Sequence, residues 1–396
     1  MVLVTSDPIE VLRSRTSEKW SEYPPDVIPM FVAEMDVPLA PVIKDALHAA
    51  IDRGDAGYVA SRTRLPEVFA AFAGRRWGWD VDPASVFTTA DVSMGIVEIL
   101  RRVISPGDGV VINPPIYPPF FELVSEAGGS VVEVPLVQLP PEADDADDVA
   151  GADVWSLDLA GLERAFAAGA KAYLLCNPHN PIGRPHPRSE LEAVAALAER
   201  YGVTVVSDEI HAPLTHSTAV FTPYLSVAES ARRTAYSVLS GSKAWNLAGL
   251  KCAMMIGASS ETRPVLAGLP VEVAWRTGQF GVLANIAAFE DGEPWLEGLL
   301  ELLDGNRRLL ASLLADHLPE VRYRIPEAGY LAWLDFRQLG WGDHPARKIL
   351  REARVALQAG RPFGEPGTGY ARLNLACSPE LLTEAVLAIA ALRERA

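Results

Sequence analysis

The chain has only three cysteines, Cys176, Cys252 and Cys377, among 396 residues. They are odd in number, widely spaced and form no C-x-x-C pair, which argues against a disulfide framework or a cysteine zinc site and suits a reducing compartment. Positive charge is also scarce, with 35 basic against 51 acidic residues and a net charge of −16. Attraction to a phosphate backbone or an anionic lipid surface is therefore weak, so neither nucleic acid nor membrane is an expected partner. No apolar run reaches spanning length. The first residues, Met-Val-Leu-Val-Thr-Ser-Asp followed by Arg13, Arg15 and Glu18, lack the apolar core of a signal peptide. The expected location is the cytoplasm. Internal repeats are absent, and no basic helix-turn-helix segment is expected ahead of the fold.

What is present is a hydrophobic content of 49%, enough to fill one large core and a smaller one. Short β-branched runs at Ser85–Thr89, Gly109–Asn113, Ser130–Val134, Ala172–Cys176, Val203–Ser207 and Thr234–Ser240 alternate with helical patterns such as Val92–Val103 and Arg188–Tyr201. This alternation predicts an α/β domain with a mostly parallel sheet sandwiched by helices. The last hundred residues differ: a helix over Pro294–Leu318, strands near Val321 and Leu331, and a closing helix from Pro379 predict a smaller α+β domain. The expected division is 48–288 for the large domain and 1–47 with 289–396 for the small one. The acidic stretch from Pro140 to Asp153, with Asp144, Asp145, Asp147 and Asp148, reads as a solvated surface loop.

Unusual residues cluster where strands end, the place where ligands sit in such sheets. Lys243 in Ser240-Gly241-Ser242-Lys243 follows a strand. A lysine sheltered there can lose its proton and form an imine, although a lysine after a strand is more commonly just solvated. Asp208 in Ser207-Asp208-Glu209-Ile210-His211 can pair with a protonated heterocycle, or serve as a helix cap or metal ligand; His216 lacks ligand spacing. Cys176-Asn177-Pro178-His179-Asn180-Pro181 is a shaped loop with amide side chains, by function or as a structural turn. Tyr117 in Asn113-Pro114-Pro115-Ile116-Tyr117-Pro118-Pro119-Phe120 can stack on a flat ring or pack as core. The strand-to-helix step Thr88–Gly95 offers N–H groups to a phosphate. Arg372 in Gly369-Tyr370-Ala371-Arg372-Leu373-Asn374 suits a substrate carboxylate or a structural salt bridge.

Taken together, these segments resemble the fold-type I pyridoxal-phosphate enzymes of the class I/II aminotransferase superfamily, and within it the cystathionine β-lyase-like MalY/PatB branch. The branch features are Met30-Phe31-Val32-Ala33-Glu34-Met35-Asp36, the Pro-Ile-Tyr-Pro-Pro-Phe segment, Asn177-Pro178-His179-Asn180-Pro181, Ser207-Asp208-Glu209-Ile210-His211 and Lys243-Ala244-Trp245-Asn246-Leu247-Ala248-Gly249. The resemblance implies pyridoxal 5'-phosphate (PLP) as cofactor, Lys243 as its Schiff-base lysine and Asp208 as partner of the pyridine nitrogen. Asn180 and His211 would lie near the phenolic oxygen, and Tyr117 over the ring. Ser240, Ser242, Lys251 and the helix start at Val92-Ser93 would hold the phosphate, and Tyr58 would reach it from the second subunit of a homodimer. Arg372 and Ala33 would meet the amino-acid substrate. Two residues depart from the branch pattern: Asp91 stands in place of the usual glycine at the phosphate turn, and Glu34 in place of an aspartate. The implied activity is carbon–sulfur β-elimination. Aminotransfer, another PLP reaction of specialised metabolism and a catalytically silent regulatory protein are the alternatives. Sites of substrate choice are expected in the loops Trp275-Arg276-Thr277-Gly278 and Arg361-Pro362-Phe363-Gly364.

Overall fold

The computed structural model describes residues 2–140, 148–149 and 151–393. Its centre is a seven-stranded sheet of β1 (Val86–Thr89), β2 (Gly109–Ile112), β3 (Ser130–Glu133), β4 (Ala172–Cys176), β5 (Thr204–Asp208), β6 (Tyr236–Leu239) and β7 (Ala253–Ile256). The spatial order is β1-β7-β6-β5-β4-β2-β3. Only β7 runs antiparallel to its neighbours. It is also the strand the sequence pattern missed, because Ala-Met-Met-Ile carries little of the β-branched or aromatic enrichment that marks a strand. Its insertion between β1 and β6 brings the segment just ahead of it, with Lys251, beside the end of β1.

Successive residues of β4 face opposite sides, as strand geometry requires. Tyr173 and Leu175 join one buried cluster with Leu191 and Val194. Ala172, Leu174 and Cys176 join another with Ile96, Ile99 and Leu100. Helices α1 (Val92–Val103) and α2 (Arg188–Tyr201) thus cover the two faces, and the polar strand ends are left to carry the chemistry. Gly95 lets α1 lie close to the sheet, since a Cβ there would sit 2.9 Å from Val238.

A second sheet holds β8 (Arg322–Arg324), β9 (Leu331–Asp335), β10 (Gln358–Ala359) and β11 (Tyr370–Asn374), with residues 148–149 on its edge. Helices α3 (Glu293–His317) and α4 (Pro379–Ala390) accompany it. The N-terminal segment reaches this part through Ile28–Pro29, which pairs in parallel with Val355–Ala356. The expected domain boundaries at 47/48 and 288/289 fall inside the helices Pro41–Asp52 and Gln279–Asp291. Of the acidic stretch, Asp144, Asp145 and Asp147 lie outside the described residues, while the backbone of Asp148 pairs with that of Arg324. No helix among the described residues is long and apolar enough to cross a membrane.

Candidate active site

A cavity of about 430 Å³ opens where the central strands end against the second sheet. β5 ends on Asp208, β4 is followed by the loop carrying Asn180, and β6 is followed by the turn carrying Lys243. That turn is tightly held: the Gly241 N–H donates to Asn285 Oδ1 at 2.9 Å, and a Cβ at Gly241 would lie 2.7 Å from the same oxygen. Lys243 faces the cavity and donates from Nζ to the Ala33 carbonyl at 3.3 Å. Burial, helped by the Arg372 charge, lowers its pKa to about 8. A group whose charged form is disfavoured in this way is readier to act as a nucleophile or base near neutral pH.

Asp208 is buried, and Oδ1 accepts from the Ile210 N–H at 3.1 Å. Burial raises its pKa to about 7, so the chain alone gives the carboxylate too little positive charge. It has the character expected of the partner of a cationic ligand. His211 is kept neutral by burial and by repulsion from Lys243 and Arg372, with its pKa lowered to about 3. Its Nδ1 has no hydrogen-bond partner within the protein. That atom is sealed off and faces Gly329, where an added Cβ would lie 3.7 Å from it, so it does not open onto the cavity. Tyr117 lines the same cavity with its phenol pKa raised by burial.

Arg372, on β11, is only 4% exposed. Nη1 donates to Asn180 Oδ1 at 3.1 Å and Nη2 to the Phe31 carbonyl at 3.2 Å, while Nε has no partner. Among the described residues no carboxylate pairs with it, so the salt-bridge alternative is not realised. Its guanidinium lies 5.1 Å from the centroid of Phe363. Of the two expected loops of substrate choice, 361–364 therefore supplies a wall of the cavity. Trp275 of the other is 57% exposed and lies outside it.

Phe31, Val32 and Ala33 form the remaining wall, and residues 31–35 are held almost entirely by side chains from elsewhere. Asn374 Nδ2 donates to the Val32 and Glu34 carbonyls at 2.7 and 2.6 Å. Asn246 clasps Met35, accepting from its N–H at 3.0 Å and donating to its carbonyl at 3.1 Å. Tyr330 Oη donates to the Ala33 carbonyl at 2.9 Å. Below them, Lys19 and Asp36 form a fully buried ion pair at 2.8 Å, and Trp20 Nε1 donates to Asp36 at 2.8 Å. Sequence reasoning did not single out Tyr330 or Asn374, or Asn246 as a clasp. The left-handed backbone of Asn246, with φ of 58°, leaves no mark that separates it from an ordinary turn asparagine.

At the far end of the cavity are Val92, Ser93, Ser242 and Lys251. Ser240 is not with them: it is buried, donates to the Cys252 carbonyl at 2.6 Å and accepts from the Ser242 N–H at 3.0 Å. Its hydroxyl is spent on shaping the Lys243 turn. Asp91 caps α1, accepting from the Met94 N–H at 2.9 Å, and pairs with Lys251 at 3.1 Å. Tyr58 is 89% exposed and outside its own chain's cavity, 6.3 Å from the Trp275 ring. Both Asn–Pro bonds of the 177–181 loop are cis. Asn177 is structural, bonded to the Thr222 carbonyl and the His186 N–H. Among the described residues no group of His, Cys, Asp and Glu is arranged to hold a metal ion.

Comparison with known proteins places this architecture. The family model described as aminotransferase class I and II matches residues 25–389. A Mycobacterium leprae protein carrying a provisional cystathionine beta-lyase name is 44% identical, with 97% of each chain covered. The cystathionine beta-lyase of Corynebacterium glutamicum is 34% identical over 96% of this chain and 98% of that one. A crystal structure from Corynebacterium diphtheriae, provisionally assigned as a PLP-dependent beta-cystathionase, superposes with a TM-score of 0.91 at 31% identity, covering 99% of both chains. The chain belongs to the class I and II aminotransferase family.

Proposed function

We propose that this protein is a PLP-dependent carbon–sulfur β-lyase that cleaves cystathionine or another cysteine S-conjugate to a thiol, pyruvate and ammonia. The observation that carries the reading is the convergence of Lys243, Asp208, Asn180 and Arg372 on one cavity. The cavity suits the cofactor: a buried carboxylate short of positive charge and the Tyr117 ring meet a cationic aromatic ring, and the Arg372 guanidinium, with no acid of its own, meets a carboxylate. When bound, PLP supplies an electron sink for the charge that develops on the substrate's Cα.

The chain's own residues do the rest. Lys243 Nζ would hold the cofactor until a substrate amine takes its place, and the freed amine would then be placed to take the Cα proton. The Cβ–S bond breaks with its electron pair leaving on sulfur, which becomes the thiol on protonation. Return of Lys243 Nζ to its place would free the three-carbon enamine, which takes up water to yield pyruvate and ammonia. Asp208 would balance the positive charge of the ring nitrogen. Asn180 and His211 would meet the ring oxygen, Tyr117 would cover the ring, and Val92, Ser93, Ser242 and Lys251 would receive the phosphate. Arg372, with no acid of its own, clamps the substrate carboxylate, while the Ala33 carbonyl fixes Lys243 when idle.

The same reading makes the working unit a cytoplasmic homodimer in which Tyr58 completes the partner's phosphate site. Support for the dimer comes from Tyr58 beside Trp275 and Val271, two residues of one short helix, all three more than half exposed in the single chain. Incubation with cystathionine in the absence of any keto acid tests the activity. Release of thiol and pyruvate supports the lyase, and strict dependence on an added keto acid identifies an aminotransferase instead.

A further inference from the structure

We infer that Asp91 is a resident anion at the phosphate end of the cavity, weakening the hold on a phosphorylated cofactor by occupying donors the phosphate needs. The inference rests on PLP being the cofactor.

Three observations meet at this residue. One carboxylate oxygen takes the Met94 N–H, a first-turn donor of α1, and the helix start is the structural element best suited to an anion. The other takes the Lys251 ammonium, the only cation lining this end of the cavity among the described residues; Lys243 and Arg372 face its other parts. Ser240, which could have compensated as a hydroxyl donor, is committed to the Cys252 carbonyl. The donors left are Ser93, Ser242 and the first-turn N–H groups of Val92 and Ser93, which have no acceptor inside the helix.

An incoming phosphate dianion meets a carboxylate that is already in place, already paired and only 35% exposed. Binding is then an exchange: Lys251 must be shared or surrendered, and like charges stay within a few ångström of one another. Asp91 helps the folded helix through its cap and opposes the ligand through its charge. The two roles are separable, because serine and asparagine cap a helix nearly as well without the charge.

The test is equilibrium binding to the full-length protein stripped of cofactor, followed by the absorbance of the bound aldehyde. Wild type, D91S and D91N are each titrated with PLP and with pyridoxal, which lacks the phosphate. The expected result is PLP binding tighter by about tenfold or more in both variants. Pyridoxal binding should change by less than about twofold, and the PLP gain should shrink as salt is raised. PLP affinity that is unchanged or weaker in both variants overturns the inference. Equal tightening for pyridoxal does so too, since the effect would then belong to packing. A wild type that holds PLP no better than pyridoxal removes the phosphate site itself, and with it the cofactor reading.

Discussion

The two halves of the cavity are built by different means. The half containing Asp208, Lys243 and the start of α1 stands at the ends of central strands: sheet pairing fixes Asp208 itself, and Lys243 and α1 follow within four residues of paired strands. The half containing Arg372 and residues 31–35 is assembled from a second sheet and an N-terminal segment tied down by side chains. A strand-end site tolerates loss of one side chain without losing its shape. A strapped wall depends on each strap, because its carbonyls find few backbone partners of their own.

Substitutions can break this contrast. K243A should cause the largest effect, a fall in turnover of about 10³-fold or more, since nucleophile and base vanish together; circular dichroism and the melting temperature should stay near wild type. D208N removes a charge-assisted hydrogen bond and should cost about 10- to 100-fold in kcat. Its effect on the cofactor-free protein is opposite in sign. Between about pH 4 and pH 7 the folded chain keeps a proton on Asp208 that the unfolded chain gives up, so wild-type stability drains away as pH rises through that window. Denaturation of the cofactor-free proteins should therefore show D208N gaining on wild type as pH rises, by on the order of 4 kcal/mol at pH 8.

On the strapped side, R372K should raise KM by roughly tenfold or more with a smaller change in kcat, because a point charge cannot reproduce the fork. N374A releases two carbonyls at once and should destabilise the fold by about 2 kcal/mol in urea titrations while also raising KM. A loss in kcat alone would mean that the wall does not depend on its straps. The smallest effect concerns cofactor loading: its rate on the stripped protein should climb as pH rises toward about 8 and then level, since only neutral Lys243 attacks an aldehyde. A flat profile from pH 6 to 9 would dissociate loading from this amine.

The same contrast explains what could be read from the sequence. Lys243, Asp208, Asn180 and Tyr117 each follow a hydrophobic run, so strand periodicity points to them, and the family resemblance supplies their chemistry. Arg372 stood out as a charge inside a strand pattern. Ser240 has the type and place of a phosphate ligand, and only the fold reveals that its hydroxyl bonds the Cys252 carbonyl. Asn374 and Tyr330 lie hundreds of residues from the carbonyls they hold. Nothing local marks such a strap, since the partner is main chain and any residue can provide it.

The account turns on Lys243 acting at the substrate's Cα. Its most direct measurement is the loss of deuterium from an S-substituted cysteine labelled at Cα, comparing wild type with K243A, both supplied with PLP. The account predicts exchange into water at least as fast as pyruvate release in wild type, and neither exchange nor pyruvate in K243A. Exchange by K243A at the wild-type rate would contradict it.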